Sequence, residues 1–346
     1  MAISVFDTRT MLEALEMLRE PKTFLLNTFF KGQNEFPTES VDIDIYKGKR
    51  RVAVYVNPKG AGQVVDRTGY KTNTYKPPYV KPKMPTTAED LLKRQAGEVM
   101  YANNLSPEQR AAMQLGKDMA ELDAMITRRE ELQAREALFD GKVTVKDIDG
   151  NEIVDEIDFG REVSHTIDLT ATGKTPWDAS GADLLADIRA WRRQNIQDSG
   201  VSSNIVIMGS DVVDLFMGSV AVRTQLDKQT AQVGELQMRA MELGVTFIGR
   251  IEGVDYYAYD EWFFNDITGL EEAIVPAKKV LVGSTMARCE RLYGAIRDVE
   301  AGLAAVARYP KSWIEQDPSV RWIQLHSAPL CVPHQVDAFT VATVMS

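Results

Sequence analysis

The sequence predicts an α+β fold, drawn out in shape and divided into two lobes. Three observations carry this. One helix of more than thirty residues is capped at both ends. A Pro- and Gly-punctuated basic stretch has too little apolar content to bury itself. A C-terminal half alternates short helices with short strands. At 346 residues the chain is long enough for one large core or two joined ones. Apolar residues at 44% and charged residues at 26% are those of an ordered globular protein. No run approaches the ~18 apolar residues of a membrane helix. The start Met1-Ala2-Ile3-Ser4-Val5-Phe6-Asp7 lacks the basic-then-apolar order of a signal peptide, so a cytoplasmic site of synthesis is expected.

Residues 7–20 read as an amphipathic helix, with Met11, Leu12, Leu15 and Leu18 on one stripe and Pro21 after its end. Phe24-Leu25-Leu26-Asn27-Thr28-Phe29-Phe30 follows, a greasy segment that either its own core or a neighbouring chain has to cover. Val41-Asp42-Ile43-Asp44-Ile45-Tyr46 alternates with period two. It reads as a strand with one wet face, its aspartates solvated and not metal-binding.

Residues 57–85 differ in kind. Five prolines stiffen them and three glycines turn them. Gln63–Arg67 and Thr72–Lys76 are β-prone runs that suggest a hairpin projecting from the body. Lys59, Arg67, Lys71, Lys76, Lys81 and Lys83 stand against Asp66 alone, six bases to one acid, a balance of +5. The whole chain carries −10. A basic arm on an acidic protein calls for an acidic partner surface, and that net charge argues against gripping nucleic acid.

Ser106-Pro107-Glu108-Gln109 combines an N-cap, a proline at the first helical position and a capping-box glutamine. Gly141 is the next stop signal. A helix over 107–140 would be about 50 Å long. Leu115, Met119, Leu122, Met125, Ile126 and Leu132 give it one narrow apolar stripe. The a/d series stops at Arg129 and Gln133, which speaks against a coiled coil. Residues 142–158 then read as a β-hairpin turning at Asp149-Gly150. As a calcium loop this stretch fails, because its glycine falls at the fourth position and Asp158 stands where a glutamate is needed. Residues 106–162 hold 15 acids and 8 bases, a balance of −7, and are expected to receive the basic arm of another copy.

From about 163 to 305 short helices and strands alternate. The expected elements are a helix at 181–198 ending before Gly200, a buried strand Asn204–Met208 turned by Gly209-Ser210-Asp211, and strands at 245–260 and 278–283. Val320–Ser327 and Val336–Val344 are extended, and both are expected to rejoin the lobe of the long helix.

The search for chemistry finds no active site. Ala171-Thr172-Gly173-Lys174-Thr175 fails as a phosphate loop because Asp168 occupies the first glycine position and Pro176 blocks the helix. His165, His326 and His334 are scattered. Cys289 and Cys331 form no metal-ligand pair, although Cys289 between Arg288 and Glu290 invites the thought of an acidified thiol. No cofactor, metal or catalytic residue is expected.

Several stretches carry a family resemblance: Phe24–Phe30, Tyr55-Val56-Asn57-Pro58 with Gly62-Gln63-Val64-Val65, and Tyr79-Val80-Lys81-Pro82-Lys83. Asp158-Phe159-Gly160-Arg161, Ala307-Arg308-Tyr309-Pro310-Lys311-Ser312-Trp313 and Ser327-Ala328-Pro329-Leu330 complete the series. In this order they resemble the major head proteins of lambda-like tailed bacteriophages, the major capsid protein E family, over nearly the whole chain. The resemblance implies the Hong Kong 97 type of shell fold, with residues 1–45 as an N-terminal arm and 46–86 as an extended loop. Residues 87–162 with 306–346 would be the peripheral lobe, and 163–305 the axial lobe. It implies a structural capsid subunit assembling into hexamers and pentamers of an icosahedral head, in the virion and, during assembly, in the host cytoplasm. Expected partners are further copies, a separate scaffolding protein, a portal protein and a trimeric decoration protein. DNA would be enclosed without specific binding, and no membrane is involved. Expected intersubunit contacts are Lys59, Arg67, Lys71, Lys76, Lys81 and Lys83 in the loop, and Phe24, Phe29 and Phe30 in the arm. A tail or baseplate protein and a phage enzyme are the alternatives.

Overall fold

The computed structural model describes residues 8–17, 23–45, 52–53, 55, 71–87, 89, 107–146, 153–225, 239–240, 244–265, 268–302, 304–317 and 319–346. The first helix, α1, spans Thr8–Met17, and the greasy segment forms a six-residue helix, α2, at Phe24–Phe29. The long helix, α3, runs Pro107–Arg135 and widens into one π-helical turn at Glu136–Asp140. Gly141 stops it in the left-handed conformation (φ +71°) that glycine adopts without penalty. Ser106, the expected cap, lies outside the described residues.

One face of α3 packs on a three-stranded antiparallel sheet in the order Tyr309–Glu315, Val320–His326, Lys83–Thr87. Met11 of α1 joins Leu115, Met119, Leu122, Ile126, Ile323 and Leu325 in the core between them. The 3.6-residue period reads this stripe correctly except at Met125, 38% exposed at the stripe's edge, and Leu132, which packs on the other core.

The second lobe is built on a seven-stranded mixed sheet. Its order is Thr166–Asp168, Thr340–Thr343, Lys279–Gly283, Ile205–Met208, Val254–Tyr259, Val245–Ile251, Arg239–Ala240. Helix α4, Leu184–Ser199, begins at Asp183, whose side chain accepts the Ala186 amide, and ends at left-handed Gly200. Helix α5, Ser210–Gly218, follows the Gly209 turn. The central strands are buried on both faces, which explains their unbroken apolar runs. Val206, Met208, Val280 and Val282 face α4 and α5, together with Trp177, Trp191 and Phe216. Ile205, Ile207, Leu281 and Val341 face the other way, into a core shared with α2, the end of α3 and the hairpin Lys142–Lys146/Ile153–Asp158. One sheet therefore serves as the floor of both lobes.

Two expectations change. Residues 336–344 do not rejoin the lobe of the long helix as one extended strand. After a 3-10 turn at Val336–Ala338, Thr340–Thr343 inserts between Thr166–Asp168 (parallel) and Lys279–Gly283 (antiparallel). Its alternating apolar positions satisfy either destination, and only long-range pairing separates them. Val320–His326 does return to the first lobe. Likewise Lys71–Tyr75 pairs with Val41–Ile45, so the projecting ribbon is rooted earlier than residue 46. Gln63–Arg67, its expected hairpin partner, lies outside the described residues.

Candidate assembly surfaces and the joint between them

The described residues hold no group of three or more His, Cys, Asp or Glu side chains placed to bind a metal. Residues 171–175 form a bend with no helix after them, so the failed phosphate motif fails in space as well. Both cysteines are buried and free, and burial pushes the Cys289 thiol up, opposite to an acidified nucleophile. His165 is fully buried, its Nε2 2.9 Å from Asp198 and its Nδ1 within 3.1 Å of Asn195 and Thr340. It pins α4 to the C-terminal strand.

The arm residues expected at an intersubunit contact serve the chain itself. Phe29 and Phe30 are 3% and 0% exposed, and Phe29 stands edge-on to Phe339 at 5.5 Å. Phe24, half-buried, packs on Tyr257 and Tyr259 at 5.3 Å each. The apolar demand of Phe29 and Phe30 is met by the chain's own core, and Phe24 keeps an accessible face. Glu131 of α3 makes the seat. Its carboxyl accepts the amides of Phe24 (3.1 Å), Leu25 (2.7 Å) and Leu26 (3.1 Å) at the start of α2, and the Tyr259 phenol at 3.0 Å. Burial raises this carboxyl above the usual carboxylate range, while its four donors oppose the rise.

The basic segment is only partly visible. Lys59 and Arg67 lie outside the described residues, and Lys71 is placed by its backbone alone. Lys76 pairs with Glu39 at 2.6 Å, and Glu39 also meets Arg297 at 3.5 Å. Lys83 sits 4.4 Å over the Trp322 ring, and Lys81 is exposed. Nearby, the Tyr79 phenol lies 2.7 Å from Nδ1 of His326. These contacts anchor the root of the ribbon. A groove of about 540 Å³ separates its edge at Thr72–Lys76 from the hairpin strand bearing Asp155 and Asp158. The Tyr75 phenol closes it by donating to the Asp158 carbonyl at 3.2 Å.

Among the described residues, most acids of the segment 106–162 are engaged within the chain. Asp123 and Glu130 hold the half-buried Arg308 at 2.7 and 2.6 Å, and Glu130 also accepts from Tyr293. Asp118 accepts from Gln114 and Thr86; Asp140 meets Arg135 and Lys279; Glu156 meets Lys142. A count of carboxylates along the sequence therefore overstates the acidic surface. Burial works against the charge of Arg308, but Glu130 and Asp123 hold it above its ordinary range. Arg308 also donates to the Ser327 hydroxyl at 3.2 Å, so it ties α3 to the turn between Val320–His326 and Pro329–Pro333. Its sequence signal is a lone arginine in Ala307-Arg308-Tyr309-Pro310, one of the stretches that carry the family resemblance. Arg161 is the second such residue. Its guanidinium donates to the Leu138 carbonyl at 2.8 Å at the end of α3, and burial lowers its pKa to about 10.

Comparison with known proteins places this architecture. The family model for phage major capsid protein E matches residues 7–344. The chain belongs to that family. The major capsid protein of Escherichia phage lambda is 31% identical over 348 residues, covering 97% of this chain and 98% of its own. The major capsid protein of Enterobacteria phage P21 is 30% identical, covering 99% and 100%. A solved prophage capsid-protein candidate from E. coli CFT073 shares the fold with a TM-score of 0.72 at 24% identity, covering 98% of this chain and 99% of that one. The capsid protein is thus a structural subunit of a tailed-phage head shell, with the α+β shell fold its sequence leads one to expect and a place in the virion. Among the described residues no helix is long and apolar enough to cross a membrane.

Proposed function

We propose that copies of this capsid protein close into hexamers, with pentamers at the vertices, through their axial lobes. The basic segment 57–85 of each copy reaches an acidic surface of the next and ties the ring together. The observation that carries this reading is charge asymmetry. The ribbon Val41–Ile45/Lys71–Tyr75 opens into a connection, residues 46–70, that holds six bases and one acid on a chain of net −10. A shell repeats each contact many times, so modest interfaces sum to a stable particle. The chain acts as a building block and carries no catalytic step. DNA is enclosed without sequence-specific contacts, which a net-acidic subunit favours. A separate scaffolding protein, a portal protein and a trimeric decoration protein complete the partner set.

Charge reversal by Lys59→Glu with Arg67→Glu tests the reading, Lys76 being left alone because Glu39 already holds it. Shell yield in sedimentation should fall, and what remains should dissociate at lower salt than the parent. Unchanged yield and salt sensitivity would falsify the electrostatic role of the loop.

A further inference from the structure

The ribbon needs a receiving surface, and among the described residues most acids of the segment 106–162 are engaged within the chain. A better match lies on the hairpin Trp262–Asn265/Leu270–Ala273, which pairs with itself and joins no larger sheet among the described strands. Strand alternation divides its side chains. Phe263 packs against the main core. Trp262 and Phe264 point the other way, 56% and 61% exposed, opposite Ala273 and Glu271. Two large aromatic side chains side by side in water mark a contact surface more than a random exposure.

Charge surrounds this ledge in one sign. Residues 260–277 contain Asp260, Glu261, Asp266, Glu271 and Glu272 and no Lys or Arg. Asp211 and Asp214 of α5 approach Asp260 closely enough that, after burial itself, their charges help hold its carboxyl above the usual range. The complementary material in the same chain is the connection 46–70, with Lys47, Lys49, Arg50, Arg51, Lys59 and Arg67 against Asp66. Folded back on itself, that connection can reach about 40 Å from its root. Cations suit an aromatic ledge edged with carboxylates, and the chain already uses that chemistry once. Lys83 lies over Trp322, whose indole N–H donates to Glu315 at 2.9 Å.

We infer that the outward face of this hairpin, Trp262 and Phe264 with Glu271, together with Asp211 and Asp214, receives the basic connection of a neighbouring copy. The inference rests on the reading that the loop acts between subunits and names where it lands.

Two full-length chains with distinguishable tags, one carrying Trp262→Cys and the other Arg67→Cys, are co-expressed, and the assembled particles are oxidised. A disulfide-linked pair of differently tagged chains is expected; the native Cys289 and Cys331 are buried and do not compete. A parallel pairing of Arg67→Cys with Glu121→Cys, on the exposed side of α3, separates the possible failures. Linkage to Glu121→Cys alone would overturn the hairpin and leave the neighbour contact standing. Linkage to neither in assembled shells would overturn both. Linkage only when both cysteines occupy one chain would make the contact internal and sink the inference. If the cysteine chains do not assemble, charge exchange decides. Asp211→Lys with Glu271→Lys should abolish shells, and adding Lys59→Glu with Arg67→Glu should restore them; no restoration overturns the landing site.

Discussion

At the residue scale, the joint between the arm and the long helix depends on acceptors that cannot be replaced by donors. Glu131 offers only lone pairs to three amides and a phenol. Glu131→Gln preserves size but turns an N–H₂ toward at least one of them. The substitution should destabilise the subunit by about 1–3 kcal/mol, measured by chemical denaturation of unassembled protein. His326 sets a second dependence, this time on pH. Burial first, then the charges of Lys311 and Lys81, depress its pKa, with Asp298 opposing. A histidine harder to protonate when folded stabilises the fold fully above about pH 6.5, and that contribution is lost as pH falls through the depressed value. The neutral ring can accept the Tyr79 phenol proton at Nδ1; the imidazolium cannot. Stability should therefore drop below pH 6.5 and His326→Gln should flatten that part of the profile. A profile identical in both proteins would remove His326 from the account.

At the element scale, local signals made much of the fold legible. The proline start and glycine stop of α3, the end of α4 before Gly200 and the hairpin 142–158 all stand close to where local patterns put them. Pairings between distant strands were not legible. Lys71–Tyr75 could as well have met Gln63–Arg67 as Val41–Ile45, because neither composition nor period identifies a strand's neighbour. The site was less legible still. Basic residues of the loop stood out as a run, whereas the Trp262 ledge is four residues long and only exposure distinguishes it from core. Counting carboxylates overstates free charge because ion pairs such as Arg308 with Asp123 and Glu130 join residues more than 170 positions apart. The turn into α5 carries its own prediction. A Cβ at Gly209 would stand 2.6 Å from the Ala277 carbonyl oxygen, in the backbone that leads into the interior strand Lys279–Gly283. Gly209→Ala should cost about 1–3 kcal/mol and lower the melting temperature of the free subunit.

At the scale of the whole molecule, the two lobes share a floor. The sheet that α4 and α5 cover on one side is covered on the other by α2, the end of α3 and the hairpin. Relative movement of the lobes therefore strains a common core and is not free rotation about a linker. The last strand is part of that floor, buried at Val341 and Ala342 and hydrogen-bonded on both edges. Removing residues 340–346 should leave a chain that expresses but fails to give a cooperative unfolding transition. A cooperative transition at the parent's midpoint would show the strand to be dispensable.

That placement has a consequence for synthesis. Thr166–Asp168 and Lys279–Gly283 are both made before Thr340–Thr343, the strand that lies between them in the finished sheet. A polypeptide released early, by a stop codon or a stalled ribosome, would lack that strand and would be left with raw backbone edges.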